Sequence, residues 1–221
     1  MIEKTKITLS AKELEMVCNA DWILTKLAII KKVHQLFGNF SETMQQQIHL
    51  KLPENISSKP PKISRGECYQ NLPYVMLDYP RYFTKEETTA IRTFFWWGNF
   101  CSINLHLSGQ SKAVATPILI DQFLFLQQNE FSICVGNTPW EHHFWLDNFL
   151  PVKAIALTKF TSILTEKPFV KIAKKIPLHQ WDQIFVFLQN SFGELVQFVP
   201  VRPQACKTNL LPGIPTNDSG L

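Results

Sequence analysis

The alternation of apolar and polar residues is most regular over positions 101–108. Cysteine, isoleucine and two leucines alternate there with serine, asparagine, histidine and serine, and a glycine follows at position 109. Because successive side chains of a strand point to opposite faces of a sheet, this pattern predicts a strand with one apolar and one polar face. Short apolar runs bounded by proline or glycine predict further strands over 73–79, 131–135 and 169–176. The lysines in the last of these runs are typical of a strand at the edge of a sheet.

Helix starts are indicated by capping boxes, in which a serine or threonine is followed three residues later by a glutamate. This spacing occurs at 10–13, 84–87 and 138–141, and it predicts helices over 10–37, 84–97 and 138–150. Gly38 is expected to end the first of these helices, and Ser41 to begin a second one. Apolar periodicity predicts later helices over 154–166 and 178–199. Over 116–126 a helix that begins at the Thr116–Pro117 pair and a buried strand fit the pattern equally well, because periodicity does not separate them.

Helices at both ends around a group of short strands indicate an α+β fold. We expect a small, mostly antiparallel sheet of about five strands, packed against N-terminal and C-terminal helices. The expected organisation is a single domain over 1–199, followed by a flexible C-terminal tail over 200–221 that is rich in proline and lacks periodicity. Within the domain we expect a helical N-terminal subdomain over 1–50, a proline-rich connector over 51–64 and an α+β core over 65–199.

Composition narrows the class of protein without indicating a function. The chain has 221 residues, of which 45% are hydrophobic and 18% charged, as in globular proteins rather than disordered ones. A formal net charge of +4 is too small to indicate nucleic-acid binding. No apolar run approaches the ~20 residues of a membrane span, and the N-terminus lacks the apolar core of a signal peptide. With five widely spaced cysteines, these features lead us to expect a cytoplasmic protein that has free thiols and no membrane partner.

The motifs of common cofactor and catalytic sites are absent from the sequence. It contains no glycine-rich dinucleotide or triphosphate loop, no zinc-protease motif and no nucleophile elbow. The sequence therefore points to no particular cofactor, and it leaves open whether the protein is an enzyme.

Two residues stand out as candidates for catalysis or binding. His106 lies on the polar side of the 101–108 strand, next to Asn104, where a row of hydrogen-bonding groups could line a cleft. Asp78 lies in an apolar run that is predicted to be a strand, which is an uncommon place for a carboxylate. We expect Asp78 either to form a structural pair with an arginine or to serve as a catalytic or ligand-orienting carboxylate. Arg81, Arg92, Asn104 and Trp97 are the further candidates for ligand binding.

No metal site is expected, although three residues are weak candidates for one. His143 and Asp147 have the i, i+4 spacing that places two side chains on one face of a helix. Such a pair is more often a surface ion pair than a set of metal ligands, and a metal site would also need His106 from the sheet.

The sequence leaves three functions open. The first is binding of a small ligand or a protein partner in a cleft beside the strands that carry Asp78 and His106. The second is a hydrolase-type enzyme, either metal-dependent or based on these two residues. The third is a homodimeric scaffold or interaction protein whose surplus of aromatic residues covers the dimer interface.

Overall fold

The computed structural model describes residues 7–48, 52, 56 and 58–200. Most of the segment 49–57 and all of 201–221 lie outside the described residues, so the expected C-terminal tail falls almost entirely beyond them. The proposed single domain over 1–199 and its internal boundaries stay a prediction.

Seven strands form one antiparallel sheet in the described part of the chain. Their bounds are β1 Lys62–Tyr69, β2 Leu72–Phe83, β3 Thr88–Trp96, β4 Phe100–Ser108, β5 Ser132–Cys134, β6 Phe149–Pro151 and β7 Phe169–Pro177. The spatial order is β1-β2-β3-β4-β7-β5-β6. The expected α+β class and antiparallel pairing are confirmed, but the expected number of about five strands is too small. The lysine-rich strand, β7, lies between β4 and β5 and is not an edge strand as its lysines suggested.

Six α-helices accompany the sheet in the same described residues. They are α1 Ala11–Cys18, α2 Ala20–Ile48, α3 Gly109–Asp121, α4 Phe123–Gln128, α5 Leu157–Glu166 and α6 Ile184–Val196. Short 3-10 turns over Val152–Ala154 and Leu178–Gln183 precede α5 and α6. The stretch that fitted a helix and a strand equally is helical, and Pro117 lies inside α3 instead of starting it. None of these helices is long and apolar enough to cross a membrane.

The N-terminal helical region confirms one sequence signal and corrects another. The capping box forms at Ser10, whose Oγ accepts from the Glu13 N–H while the Glu13 carboxylate accepts from the Ser10 N–H. The chain then breaks at Asn19, and α2 continues through Gly38 to Ile48 as one helix. A glycine within a helix costs only about 1 kcal/mol, and buried apolar residues on both sides of Gly38 outweigh this cost.

The helix predicted over 84–97 is wrong, because residues 88–96 form β3. The Thr84 hydroxyl does accept from the Glu87 N–H at 2.9 Å, but this contact closes the turn between β2 and β3. Serine and threonine make the same local hydrogen bond in turns and at helix starts, so it does not decide the structure that follows. The β-branched and aromatic residues after it favour a strand.

The sheet has two differently covered faces. On the first, which we call the helical face, alternate residues of β2, β3, β4 and β7 pack against α2 and α6 in one continuous core. Phe40 of α2, for example, meets Phe192 of α6 edge to face with ring centroids 6.1 Å apart. The intervening residues form the second face, which we call the loop face. All but one of the β4 residues are buried, so both faces of this strand are covered.

A buried carboxylate joins the start of α3 to the β2–β3 turn. Glu87 accepts hydrogen bonds from the Ser111 N–H at 2.8 Å and from the Ser111 hydroxyl at 2.6 Å. Thr89 in turn donates from its hydroxyl to Ser111 Oγ at 2.5 Å. The amides of a helix N-terminus have no partner within the helix, and a negative charge there also interacts favourably with the helix dipole.

Replacing Glu87 with alanine is expected to lower the free energy of unfolding by about 2 to 3 kcal/mol, since the buried Ser111 groups lose a charged acceptor. Urea unfolding of the purified variant measures this change. Glu86→Ala provides the matched control because Glu86 is the exposed neighbour, and it should change the stability by less than about 0.5 kcal/mol. Equal effects of the two substitutions would contradict this account.

Candidate functional site

The loop face carries a row of polar side chains from four neighbouring strands, which we call the polar layer. It consists of Asp78 on β2, Arg92 on β3, Asn104 and His106 on β4, and Lys171 on β7. Asp78 lies opposite Arg92, which lies opposite Asn104, and His106 lies opposite Lys171. Residues that face each other across an antiparallel sheet present their side chains on the same side. All five positions therefore belong to one surface of the sheet, and the sequence-predicted residues Asp78 and His106 lie on it together.

Asp78 and Arg92 form an ion pair with two parallel hydrogen bonds. Arg92 donates from Nε to Asp78 Oδ1 at 2.6 Å and from Nη2 to Asp78 Oδ2 at 3.0 Å. Asp78 is buried, and the Arg92 side chain is 12% exposed. Asn104 donates from Nδ2 to the Arg92 backbone carbonyl at 3.1 Å. Of the two roles expected for Asp78, pairing with an arginine is the one that the geometry supports, because both carboxylate oxygens are engaged.

His106 is buried between aromatic rings and two positive charges. Its ring meets Trp140 and Phe169 edge to face, at centroid distances of 5.7 and 5.9 Å. Burial lowers the pKa of His106 to about 3, and the nearby Lys171 and Arg92 charges contribute to this shift. The imidazole is therefore neutral at physiological pH. The polar side of β4 is neither an open cleft nor a solvated surface, since Ser102, Asn104 and His106 are all buried.

Lys171 is the member of the polar layer that sequence reasoning missed. The residue is only 2% exposed, and its Nζ donates to the backbone carbonyls of Pro139 at 3.0 Å and Glu141 at 2.5 Å. Nζ also lies 3.4 Å from His142 Nδ1. No ion pair in the described part of the chain includes Lys171. Burial lowers the pKa of this amine to about 7; the nearby Cys134 and Glu141 oppose the shift, and Arg92 adds to it.

The segment 135–148, which we call the covering loop, closes over the polar layer. Its ends are joined by a hydrogen bond from the Val135 N–H to the Asn148 carbonyl at 2.8 Å. Tyr69 of β1 holds its middle, because the phenolic oxygen accepts from the backbone N–H of His142 at 2.7 Å and donates to Glu141 Oε2 at 2.9 Å. A compact loop with joined ends is an Ω-loop, a kind of segment that is frequently functional.

The helix predicted over 138–150 is wrong, since the covering loop has no regular helix. The Thr138 hydroxyl accepts from the Trp140 N–H at 3.4 Å, which is again a turn contact. The carbonyls of Pro139 and Glu141 point to Lys171, whereas in a helix they would accept from amides further along the chain. Trp140 lies over the Arg92 guanidinium, with 5.7 Å between the guanidinium carbon and the ring centroid.

His142 and His143 both lie in the covering loop but in different surroundings. The His142 ring stacks on Phe94 at a centroid distance of 4.6 Å, and burial and the Lys171 charge lower its pKa well below the usual value. His143 Nδ1 lies 3.8 Å from Asp147 Oδ1, and His143 Nε2 lies 3.7 Å from Glu141 Oε2. His143 and Asp147 are thus neighbours, but on a loop and not on a helix, and the buried His143 Nδ1 makes no hydrogen bond to Asp147.

The remaining candidates have other neighbours. Arg81 donates from Nε to the Pro60 carbonyl at 2.7 Å, so it is tied to the segment before β1. Trp97 packs against the core of the helical face and meets Phe95 edge to face at 6.0 Å. In the parts of the chain that the structure describes, no three histidine, cysteine, aspartate or glutamate side chains come together as a metal site would require. The weak metal candidates His106, His143 and Asp147 thus form no such group.

A surface cleft of about 850 Å³ lies away from the polar layer, beside β7 and the start of α6. Lysines and carboxylates both line it, so it has no strong preference for one sign of charge. None of the residues singled out from the sequence borders this cleft, whose lining includes Glu130, Ser132, Phe144, Lys153, Lys174, Lys175, Asp182 and Asn190.

The fold and the site together define an α+β protein with a seven-stranded antiparallel sheet and a buried polar layer beneath an Ω-loop. Comparison of the chain with protein-family models, with curated proteins and with solved structures finds no match.

Proposed function

We propose that this protein binds a small anionic ligand, such as a carboxylate or phosphate compound, on the polar layer beneath the covering loop. The observation that carries the proposal is Lys171, a buried cation that has no carboxylate ion-pair partner among the residues that the structure describes. Lysine is almost never fully buried unless it is paired, because removing a charge from water is costly. Strongly perturbed ionisable groups are more common at functional sites than elsewhere.

The charge balance of the polar layer favours an anion. Among the described members of the layer, two cations, Arg92 and Lys171, face one carboxylate, Asp78, whose two oxygens are both used by Arg92. The Glu141 carboxylate of the covering loop acts on Lys171 through its charge, but its Oε2 accepts a hydrogen bond from Tyr69. His106 and His142 are neutral, so they add no further positive charge, and they can offer ring N–H groups as donors. An anionic group beside Lys171 would neutralise this excess in surroundings of low polarity, where such an interaction is strong.

A bound anion would replace two backbone carbonyl groups of the covering loop as hydrogen-bond acceptors for Lys171. Its Pro139 and Glu141 carbonyl oxygens lie on Lys171 Nζ, where the oxygens of a bound anion would lie. Charged acceptors make stronger hydrogen bonds to an ammonium group than neutral carbonyls do. When the covering loop moves aside, the ligand takes over the hydrogen bonds of Lys171. Without a ligand, the hydrogen bonds between Tyr69 and the covering loop hold the loop closed.

Thermal unfolding at pH 6 with inorganic phosphate or succinate tests the proposal, because at this pH Lys171 is protonated in the folded protein. A ligand at about 100 times its dissociation constant stabilises the folded state by about 2.7 kcal/mol, which for a protein of this size raises Tm by roughly 5 to 10 °C. The gain should shrink at pH 9, where Lys171 is neutral. Sodium chloride at equal ionic strength is the control for general salt effects.

Lys171→Met should abolish this stabilisation, since methionine keeps much of the side-chain volume without the charge. Lys174→Met is the matched control: Lys174 is on the same strand, but its amine pairs with Glu194 of α6 on the helical face. This variant should respond to the anions as the wild type does. If neither anion stabilises the wild type more than it stabilises Lys171→Met, the proposal is wrong and Lys171 serves only to fasten the loop.

A further inference from the structure

The first helices expose a run of large apolar side chains that nothing in the described chain covers. In the segment 7–29, which we call the N-terminal arm, α1 has no buried residue, and the first buried position of α2 is Ile30. Single exposed apolar residues are normal, but a group of this size within one short segment indicates a contact surface. Seven of these residues are 47–61% exposed: Leu14, Met16, Val17, Trp22, Ile23, Leu24 and Leu27.

The exposed residues of α2 extend the stripe by which this helix packs on the sheet. Ile30, Val33 and Phe37 are buried in the core, and Ile23 and Leu27 precede them on the same side at helical spacing. Because the apolar stripe of α2 continues beyond the residues that the core buries, we infer that another surface covers its exposed part. We propose that this surface is the N-terminal arm of a second copy of the chain, paired in the antiparallel direction.

The area of the N-terminal arm suits such a pairing. A half-exposed leucine, isoleucine or tryptophan side chain offers on the order of 100 Å² of apolar surface, so the seven residues offer about 700 Å². A stable interface buries about 800 Å² on each partner, and polar atoms at its rim supply the remainder. In a two-fold symmetric pairing one patch is used twice, so no second patch is required.

The distribution of charge selects the antiparallel direction and a protein partner. Positions 7–21 contain one lysine and three acidic residues, a net charge of −2, whereas positions 22–40 contain three lysines and no acidic residue, a net charge of +3. Antiparallel arms place the acidic part of one copy beside the basic part of the other, and parallel arms would oppose like charges. Lys26 already pairs with Glu67 of its own chain, so the complementary charge comes from Lys31 and Lys32, which are exposed on α2 directly after the arm. Helices that lie on anionic membranes carry an excess of lysine and arginine along their polar side, unlike the acidic start of this arm.

Sedimentation velocity of the full chain at about 1 to 100 µM tests the inference, with a reducing agent present because Cys18 is exposed. We expect a dimer that Leu24→Glu weakens at least about 30-fold, because the substitution puts an unpaired charge in the interface. Leu24 is exposed, so this variant should still fold. Leu124→Glu, at an exposed leucine of α4, is the matched control and should leave the dimer unchanged.

The direction of pairing has its own test. Glu15→Lys should weaken the dimer. Adding Lys31→Glu and Lys32→Glu to the same chain should restore it, because the acidic and the basic sides of the pairing are then both reversed. A wild type that stays monomeric up to 100 µM, or a dimer that Leu24→Glu does not weaken, would overturn the inference. Binding of the arm to phosphatidylcholine–phosphatidylserine vesicles by a monomeric wild type would overturn it in favour of a lipid surface. Because no ligand is needed, these results are independent of the anion test.

Discussion

Replacing Asp78 with alanine is expected to lower the free energy of unfolding by about 3 to 5 kcal/mol. The substitution leaves the Arg92 guanidinium buried beside Trp140 without the carboxylate that accepts two of its hydrogen bonds. Breaking a buried ion pair on one side is costly because the remaining charge keeps its desolvation penalty without its attraction. Urea unfolding of the purified variant, followed by circular dichroism, measures the loss.

Two further variants test whether the loss of stability comes from leaving one charge of the buried ion pair without its partner. In the double variant Asp78→Leu with Arg92→Met, both charges are replaced by apolar groups, so most of the lost stability should return. Glu130→Ala breaks the exposed ion pair between Glu130 and Lys153 and should cost less than about 1 kcal/mol. A cost below about 1 kcal/mol for Asp78→Ala would mean that water reaches the Arg92 guanidinium, which contradicts its burial in the polar layer.

The sheet was predictable wherever one residue pattern favoured a single structure. β4 alternates apolar and polar residues over its whole length, and β2, β5 and β7 contain short apolar runs with proline or glycine beside them. β3 was missed because a threonine and a glutamate three residues apart were read as a helix start, although the same hydrogen bond also forms in a turn. The β-branched and aromatic residues that follow Thr84 favour a strand more strongly than one local contact favours a helix.

The place of each strand in the sheet depends on contacts between distant parts of the chain. The three lysines of β7, Lys171, Lys174 and Lys175, suggest an edge strand, yet β4 and β5 lie on its two sides. Lys174 reaches Glu194 on α6, and Lys171 is covered by a loop more than twenty residues earlier in the sequence. Neither partner is visible in the local sequence, so the lysines resembled those of a solvated edge.

The candidate site was predictable in part for the same reason. Asp78 and His106 were found because each is an unusual residue for its own strand, and both belong to the polar layer. Lys171 gave a weaker signal of the same kind, since its neighbours on that side of β7 are Phe169 and Ala173. His142 gave no such signal, because its environment depends on how the covering loop folds over Phe94.

The stability of the wild type relative to Lys171→Met is expected to rise between pH 7 and pH 9. The pKa of Lys171 is about 7 in the folded protein, against an ordinary value of 10.5 in the unfolded chain. Between these two values the unfolded chain binds a proton that the folded protein does not, so the free energy of unfolding increases with pH, by up to about 1.4 kcal/mol per pH unit. Below pH 7 both states are protonated, and the cost of burying the charge is present in full.

Urea unfolding of both proteins at pH 6, 7, 8 and 9 measures this difference, and we expect it to change by about 2 kcal/mol over the upper two pH units. At pH 6 and 7 the methionine variant should be the more stable protein, because it buries no charge. Lys171→Arg is the sharper control, since arginine does not lose its proton in this range and its instability should persist at pH 9. A difference between wild type and Lys171→Met that stays constant from pH 6 to pH 9 would mean that Lys171 does not change its charge there. The loss of anion binding at pH 9 would then also have no physical basis, so the same titration tests the charge on which the proposed ligand site depends.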